Sequence, residues 1–357
     1  MALRPLRLCV ERVRRFAGVL LALLAGASPA RADLRTLATL DGASANEGSL
    51  VEFLKKTVGG RQELDNTGSL TATFGSGQPH TLLIAGLDEP GYVVSAITAD
   101  GYLRVHRLSA TPPHHNFDSF FLAQPVRVTT AKGKILNGVV SALSVHLQTE
   151  RFSSPRADHP EQMYVDIGAR SEREARQAGV DLLDTITLEK PFTELGDRVS
   201  APWISSRAGA AVLVELARRM RQSPPTGTVT LAFVAQQHSG LAGLARVLAR
   251  VDAGQIVWIK PGGNAKPAVA PVNDRRPQMA DQLVALAAKQ KFDVDRDTAG
   301  RLNFPAFANE DIWPHPARIA SLTLGVENSG TPVLTPLAAL SIVLDRSPLT
   351  SGSSSAR

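Results

Sequence analysis

The sequence is almost without cysteine: among 357 residues it has one, Cys9. A chain with one thiol forms no internal disulfide and has no set of thiolate metal ligands. Aromatic residues are also scarce, at 5%. Basic residues are interspersed with acidic ones and form no aromatic-interleaved stripe, so nothing favours nucleic-acid binding. The first absence excludes a small disulfide-stabilised domain, and because Cys9 lies in the N-terminal segment that we expect to be removed as a secretory signal, we expect no cysteine nucleophile.

The sequence also lacks an N-terminal apolar run long enough to cross a bilayer comfortably, since "FAGVLLALLAGA" spans only residues 16–27. Five arginines precede this run, and "ARA" follows it directly before Asp33. This order predicts a secretory signal over residues 1–32, so we expect an exported protein, periplasmic or extracellular, with no transmembrane segment in its mature form. The pair Arg14 and Arg15 leaves twin-arginine export open beside the ordinary route.

Much of the positive charge belongs to this signal. Residues 1–32 hold six arginines and one glutamate, so the net charge falls from +6 to about +1 in the mature chain. About 325 residues remain, which is enough for two domains with their own cores.

Two patterns alternate along the mature chain. "NEGSLVEFLKKTVGG" predicts a helix capped by Asn46, and strands follow at about 69–74, 80–85 and 92–97. From residue 199, "RAGAAVLVELARRMRQ" and "SGLAGLARVLARV", the latter with Ser239 as cap, predict helices. Apolar strands lie between and after them, in "GTVTLAFVA" and "GQIVWI". This alternation predicts an α/β domain with a mostly parallel sheet flanked by helices.

The segment between the two α/β parts of the chain has a different sequence pattern. Short β-rich runs joined by proline-rich turns fill residues 99–198, which we interpret as a small inserted β domain. The α/β domain is then discontinuous, over residues 33–98 and 199–346. Residues 347–357 are polar and serine-rich, which predicts a disordered tail.

Several motifs resemble those of the tetrahedral-shell di-zinc aminopeptidases, the family of glutamyl and deblocking aminopeptidases. The most specific is "YVDIGARSEREARQAGV", at residues 164–180, because it joins a strand end, a turn and a helix start that no catalytic requirement dictates. The others are "SANE", "DNTGSL", "AGLDEPGYVVSAITADGYL", "WISSRAG", "QQHSGLAGL" and "ENSGTP". The resemblance implies an α/β peptidase domain carrying an inserted β-barrel, and the family's assembly into shells implies possible pairing with like or related chains.

The resemblance also implies a site with two zinc ions and a glutamate base, which the residues here do not reproduce. In place of the family's ligands and base stand Gly86, Ser205, Gln237, His238, Lys260 and Gly330. Glycine has no side chain to ligate a metal, and a glutamine amide does not act as a base toward water. A lysine at 260 adds positive charge, which we expect to neutralise Asp88 and Glu89. The sequence therefore predicts a degenerate site with no cofactor.

The function that follows is binding without catalysis, with a peptide or a partner subunit in the former active-site cleft. Two alternatives stay open. One is a hydrolase with a remodelled site, with one metal ion or none, at Asp88, Glu89, His238 and Glu327. The other is a structural envelope protein with an empty cleft. The tryptophans, Trp203 among them, are equally compatible with lining the cleft and with packing in the core.

Overall fold

The computed structural model describes residues 28–109, 117–142, 160–195, 198–261, 268–271, 278–289, 294–296, 319–324, 326–327 and 341–342. Within these residues the α-helices are Ser28–Thr39 (α1), Gly48–Thr57 (α2), Glu172–Ala178 (α3), Ile204–Gln222 (α4), Ala242–Arg250 (α5) and Gln278–Lys289 (α6). The strands are Arg61–Leu64 (β1), Leu70–Ser76 (β2), His80–Gly86 (β3), Tyr92–Ile97 (β4), Leu103–Arg107 (β5), Pro125–Thr129 (β6), Ile135–Ala142 (β7), Met163–Asp166 (β8), Thr185–Leu188 (β9), Thr193–Leu195 (β10), Arg198–Ser200 (β11), Gly227–Val234 (β12), Gln255–Pro261 (β13), Ala268–Pro271 (β14), Asp295–Arg296 (β15), Ile319–Leu324 (β16), Val326–Glu327 (β17) and Ser341–Ile342 (β18).

The largest sheet has the order β1-β2-β12-β3-β13-β16-β14-β15. Its central strands β12, β3, β13 and β16 are parallel to one another, and antiparallel neighbours β2 and β14 flank them. This confirms the predicted mostly parallel sheet. β3 is buried along nearly its whole length, as expected for a strand covered on both faces.

Helices cover both faces of this sheet. α1, α2, α4 and α6 share one core with it, in which Leu37, Leu54 and Leu213 are fully buried. α5 packs on the other face, where Leu244 and Trp258 join a second core. The sheet and its helices therefore form an α/β layer structure.

The inserted unit is a closed barrel with the strand order β4-β5-β8-β7-β6-β9. Its core contains Tyr92, Phe117 and Phe121, and α3 packs against it through Ala175. α3 begins at the cap Ser171, whose side chain accepts a hydrogen bond from Glu174 N. The barrel confirms the predicted inserted β domain.

The barrel begins earlier than the predicted boundary at residue 99. The sequence predicts that the strand at 92–97 belongs to the α/β domain, but this strand pairs with β5 and β9 in the barrel. Its alternating pattern fits either sheet. The change of sheet occurs at Gly91, where an added Cβ would lie 2.5 Å from Ile186 O. Only a residue without a side chain lets the two backbones approach so closely.

At the C-terminal boundary of the insertion, β9 is the last strand of the barrel. β10 and β11 instead form a small sheet with β18 and β17. The predicted tail at 347–357 lies outside the described residues.

Two predicted helix caps are wrong. Asn46 does not cap α2, because its amide donates to Thr185 Oγ1 at 2.8 Å and thereby ties the α/β domain to the barrel. Ser239 does not cap α5, which begins after Leu241 in a left-handed conformation. The Ser239 hydroxyl instead lies 2.8 Å from that of Ser44. In both cases the side chain contacts a residue distant in the sequence instead of the first turn of the helix.

The N-terminal helix crosses the predicted end of the signal at residue 32, since α1 runs from Ser28 to Thr39. Residues 1–27 lie outside the described part of the chain. In the part that is described, no helix combines the length and apolarity needed to cross a membrane.

Candidate functional site

The candidate site lies where the parallel strands β3 and β12 end side by side. Gly86 closes β3 and pairs with Val234, which closes β12. Asp88 and Glu89 follow the first strand, and the loop 235–239 follows the second. Segments leaving the carboxyl ends of neighbouring parallel strands meet at one edge of the sheet, where α/β proteins place their sites.

Gly86 and Gln237 occupy one another's space. A Cβ built on Gly86 would overlap Gln237 Nε2 and Cδ and lie 2.7 Å from Oε1. The carboxamide therefore fills the volume that a side chain at position 86 would need. The positions that match the family's first histidine ligand and its general base are thus in direct contact, and neither carries an imidazole or a carboxylate.

Two carboxylates hold the loop 235–239 through alternate backbone amides. Gln236 N donates to Glu47 Oε1 at 2.8 Å, and His238 N donates to Asp88 Oδ2 at 2.9 Å. These two contacts, one from each carboxyl group, fix the loop against the sheet.

Glu47 is the residue that the sequence analysis missed as part of the site, although the motif "SANE" contains it. It is 4% exposed. Burial raises its pKa to about 7, the charge of Asp88 adds to the rise, and the hydrogen bonds from Gln236 N and Ala45 N oppose it. A carboxyl near half-ionisation at neutral pH is a property that functional sites share.

Asp88 is fully buried. Its Oδ2 accepts from His238 N, whereas its Oδ1 has no hydrogen-bond partner in the described part of the chain. A buried carboxylate oxygen without a partner is uncommon in folded proteins. Asp88 thus supports the loop with one oxygen and leaves the other available.

Glu89 is not available as an acid or base, because both of its carboxylate oxygens are engaged. Oε2 contacts the Lys190 ammonium in a buried ion pair. Oε1 accepts from Arg207 Nη2 at 3.1 Å and from Gly42 N at 3.3 Å. Lys190 is the lysine that the described residues place against this carboxylate, whereas the side chain of the predicted Lys260 lies outside the described part of the structure.

Lys190 follows the last barrel strand, in "TLEKPF". Burial lowers its pKa, and the neighbouring carboxylate of Glu89 opposes that shift. Nothing in its local sequence signals the role, because its partner is 101 residues away. The barrel thus supplies a charge to the sheet edge of the other domain.

His238 is held beside Asp88 with a neutral ring. Burial lowers its pKa, although the charge of Asp88 opposes the shift. Its ring lies edge-on to Trp203, with centroids 6.4 Å apart. Trp203 therefore borders the site, whereas Trp258 packs in the core beneath α5.

Four other predicted positions are described less fully. Ser205 lies in the first turn of α4, Lys260 in β13 and Glu327 in β17, and the side chains of all three lie outside the described part of the structure. Gly330 lies outside it altogether. Of the remodelled-site candidates, the structure brings together Asp88, Glu89 and His238.

The sequence over residues 68–259 matches the family described as M42 glutamyl aminopeptidase. The chain belongs to this family. The family resemblance seen in the sequence is therefore confirmed.

Two curated relatives of this chain are named as aminopeptidases. Lysyl aminopeptidase of Pyrococcus furiosus is 29% identical over 195 residues, which cover 54% of this chain and 54% of the relative. Glutamyl aminopeptidase of Lactococcus lactis is 24% identical over 218 residues, covering 59% and 60%. The matched part of this M42 chain thus spans little more than half the length of these relatives.

Solved structures of TET peptidases are similar to this chain in fold. A TET aminopeptidase from a marine-sediment Thaumarchaeota archaeon has a TM-score of 0.72 at 21% identity, covering 89% of this chain and 92% of that one. The TET1 peptidase of Pyrococcus horikoshii has a TM-score of 0.73 at 22% identity, covering 89% and 95%. At these identities the likeness establishes the fold.

Membership of the M42 family overturns the expectation that the protein has no cofactor, because its homologues are metal-dependent. The described side chains at positions 86, 237 and 238 do not, however, fit the family's pair of metal ions. Among the residues that the structure describes, no group of three or more His, Cys, Asp or Glu is placed to hold a metal ion. A metal ion at this edge of the sheet would need donors beyond those residues.

Proposed function

We propose that this protein is an exported, non-catalytic member of the M42 family that binds peptide in the former active-site cleft. The observation that carries the proposal is the contact between Gly86 and Gln237. The Gln237 carboxamide fills the space of a side chain at position 86, which matches the family's first metal ligand. Gln237 itself stands at the position that the family resemblance gives to the general base. An amide lacks the basic lone pair that would take a proton from water.

The other acidic groups of the site have structural partners, and Glu47 Oε1 accepts from both Gln236 N and Ala45 N. Glu89 is held by Lys190 and Arg207 in a buried network, and one oxygen of Asp88 holds the loop. The cleft keeps its polar frame, since the loop 235–239 is fixed by Glu47 and Asp88. A fixed polar frame without a base supports recognition rather than hydrolysis.

Export and assembly are part of the proposal. The signal over residues 1–32 supports transport across the inner membrane, with the mature chain divided into the discontinuous α/β domain and the inserted barrel. The Pyrococcus horikoshii relative is described as assembling into a tetrahedron or a large octahedral shell. We expect this chain to form a homo-oligomer, or to pair with a catalytically competent relative.

The test uses the full-length chain, expressed and processed in a bacterial host, with its N-terminus read by mass spectrometry. Hydrolysis of a panel of aminoacyl-p-nitroanilides is measured with and without added zinc, cobalt and manganese. Binding of a fluorescein-labelled decapeptide mixture is measured by anisotropy on the same samples. We expect peptide binding with no hydrolysis above buffer. Hydrolysis that rises with added metal would overturn the proposal, and so would the absence of any peptide binding.

A further inference from the structure

The largest sheet ends at β1, which forms one of its edges. β1 pairs with β2 through residues 61–64 and has no second neighbour among the strands that the structure describes. Its side chains are exposed apart from the partly buried Gln62, and Leu64 is 47% exposed. An edge strand leaves half of its backbone N–H and C=O groups without a partner in the ladder, so it can pair with a further strand.

The backbone groups of Gln62 and Leu64 are the ones that face outward from this edge. Glu63 O accepts from Thr71 Oγ1 at 3.3 Å, and Asp65 N also donates toward the start of β2. Residues 63 and 65 therefore direct their backbone groups into the sheet. Because a strand directs these groups to alternate sides, those of residues 62 and 64 point away from it.

The two charged side chains of β1 share one face of the sheet. Glu63 Oε2 lies 3.3 Å from Arg250 Nη2 at the end of α5. Gln62 points to the opposite face, where its Nε2 donates to Lys55 O of α2 at 3.0 Å. Since side chains alternate between the faces of a strand, Arg61 lies on the α5 face with Glu63. Arg61 has no ion pair within the described part of the chain.

Two copies of β1 complement one another when they pair antiparallel with Gln62 opposite Gln62 of the second copy. In this register the outward groups of the facing glutamines exchange their backbone hydrogen bonds. Arg61 of each copy then faces Glu63 of the other, which gives a cross-strand ion pair on either side of the two-fold axis. The exposed Leu64 faces Gly60, which has no side chain to oppose it. Charges of one sign would keep two such edges apart, whereas the charges of this edge attract a second copy.

We infer that β1 is an interface at which two copies of this chain join their largest sheets, antiparallel and around a two-fold axis. The partner is a second copy because the arrangement of charge on the edge is complementary to itself. The inference rests on the homo-oligomer of the proposed function and deepens it, since it names the surface and the register of the contact.

An engineered disulfide tests the register, because the chain has no cysteine of its own once residues 1–32 are removed. In the processed protein, Gln62→Cys would place two thiols opposite one another, within the Cα separation of about 4.4–6.8 Å that a disulfide spans. Mild oxidation should convert most of this variant to a covalent dimer on a non-reducing gel. Leu64→Cys is the matched control on the same edge. Its thiols would lie four residues apart along the ladder, about 13 Å, and should stay unlinked.

Exchange of charges tests the ion pairs. Arg61→Glu and Glu63→Arg each place like charges opposite one another on both sides of the axis. Each variant alone should therefore raise the dissociation constant of this contact about tenfold or more. An equimolar mixture of the two variants restores opposite charges and should associate as the wild type does. Sedimentation velocity measures the association, and circular dichroism verifies that both variants are folded.

An oligomeric protein whose Gln62→Cys variant does not cross-link would overturn this inference and leave the homo-oligomer standing. Equal cross-linking of Leu64→Cys, or charge variants that associate like the wild type, would do the same. A mixed disulfide of Gln62→Cys with other proteins of the host would also overturn it, because the edge would then bind a different partner. A wild-type chain that sediments as a monomer at every concentration would overturn this inference together with the expected homo-oligomer. The decapeptide titration decides peptide binding separately.

Discussion

The carboxamide of Gln237 lies against the backbone of Gly86, in the volume that any side chain at position 86 would occupy. The two positions are 151 apart in the sequence and come together because β3 and β12 are parallel neighbours with paired ends. Their identities are therefore physically coupled. A change at one alters what the other permits.

This coupling predicts non-additive effects on stability. Gly86→Ala should destabilise the protein by about 1–3 kcal/mol, because the added methyl overlaps the amide in a buried strand. In a Gln237→Ala background most of that cost should vanish, which a double-mutant cycle from urea unfolding measures. Gly48→Ala is the matched control, because an added Cβ there meets nothing within 4 Å. An equal cost of Gly86→Ala in both backgrounds would show that the residues do not interact.

The raised pKa of Glu47 predicts that the free energy of unfolding falls as the pH rises through neutrality. Its pKa is raised from 4.5 to about 7 in the folded protein, so its contribution is fully present below pH 4.5 and is lost as pH rises through 7. The loss amounts to about 3 kcal/mol between these limits. Glu47→Gln keeps an amide oxygen for the loop and removes the titration. Urea unfolding at pH 5 and pH 8 should show the variant gaining relative to the wild type at pH 8, and a pH-independent difference would contradict this.

The charge of Asp88 is one cause of that raised pKa, after burial. Asp88→Asn should therefore lower the pKa of Glu47 from about 7 while leaving it above 4.5, because burial remains. Carboxyl-carbon NMR of the glutamate side chains follows the titration directly. Asp100→Asn, at an exposed turn, is the control and should leave Glu47 unchanged. An unmoved pKa in Asp88→Asn would mean that the two carboxyls do not interact.

The buried network at Glu89 predicts a large cost when its lysine is removed. Lys190→Met keeps the length of the side chain and leaves Glu89 with Arg207 and the Gly42 amide as partners, which should destabilise the protein by about 3 kcal/mol. Lys55→Met is the surface comparison, because Lys55 pairs with Glu52 on an exposed helix face and should cost under about 1 kcal/mol. Both values come from chemical unfolding at pH 7. Equal costs would show that burial of the Lys190 pair is unimportant.

Much of the fold was accessible from the sequence, because its signals are local. The alternation of apolar strands and amphipathic helices predicted the parallel sheet, and "DIGARSEREARQAGV" indicated the family and its barrel. The change of sheet at Gly91 was missed, since "YVVSAI" alternates in the same way in either sheet.

The site was less accessible, because its groups meet through long-range contacts. The carboxylates after β3 were visible as a strand-end pattern, but their partners were not. Lys190 reaches Glu89 from the end of the barrel, and Glu47 reaches the loop across 189 residues. The side-chain direction of Gln237, on which the contact with Gly86 depends, has no signature in the sequence.

The position of Lys190 has a consequence for whether the inserted barrel can be deleted or expressed on its own. An insertion is commonly treated as a module that can be deleted, transplanted or expressed alone. Here the end of the insertion neutralises a carboxylate buried in its host. Excising the barrel would leave Glu89 inside the host with one partner fewer, and the separated barrel would end in an unmatched lysine. The barrel and the α/β domain are therefore distinct in topology, but through this buried ion pair the stability of each depends on the other.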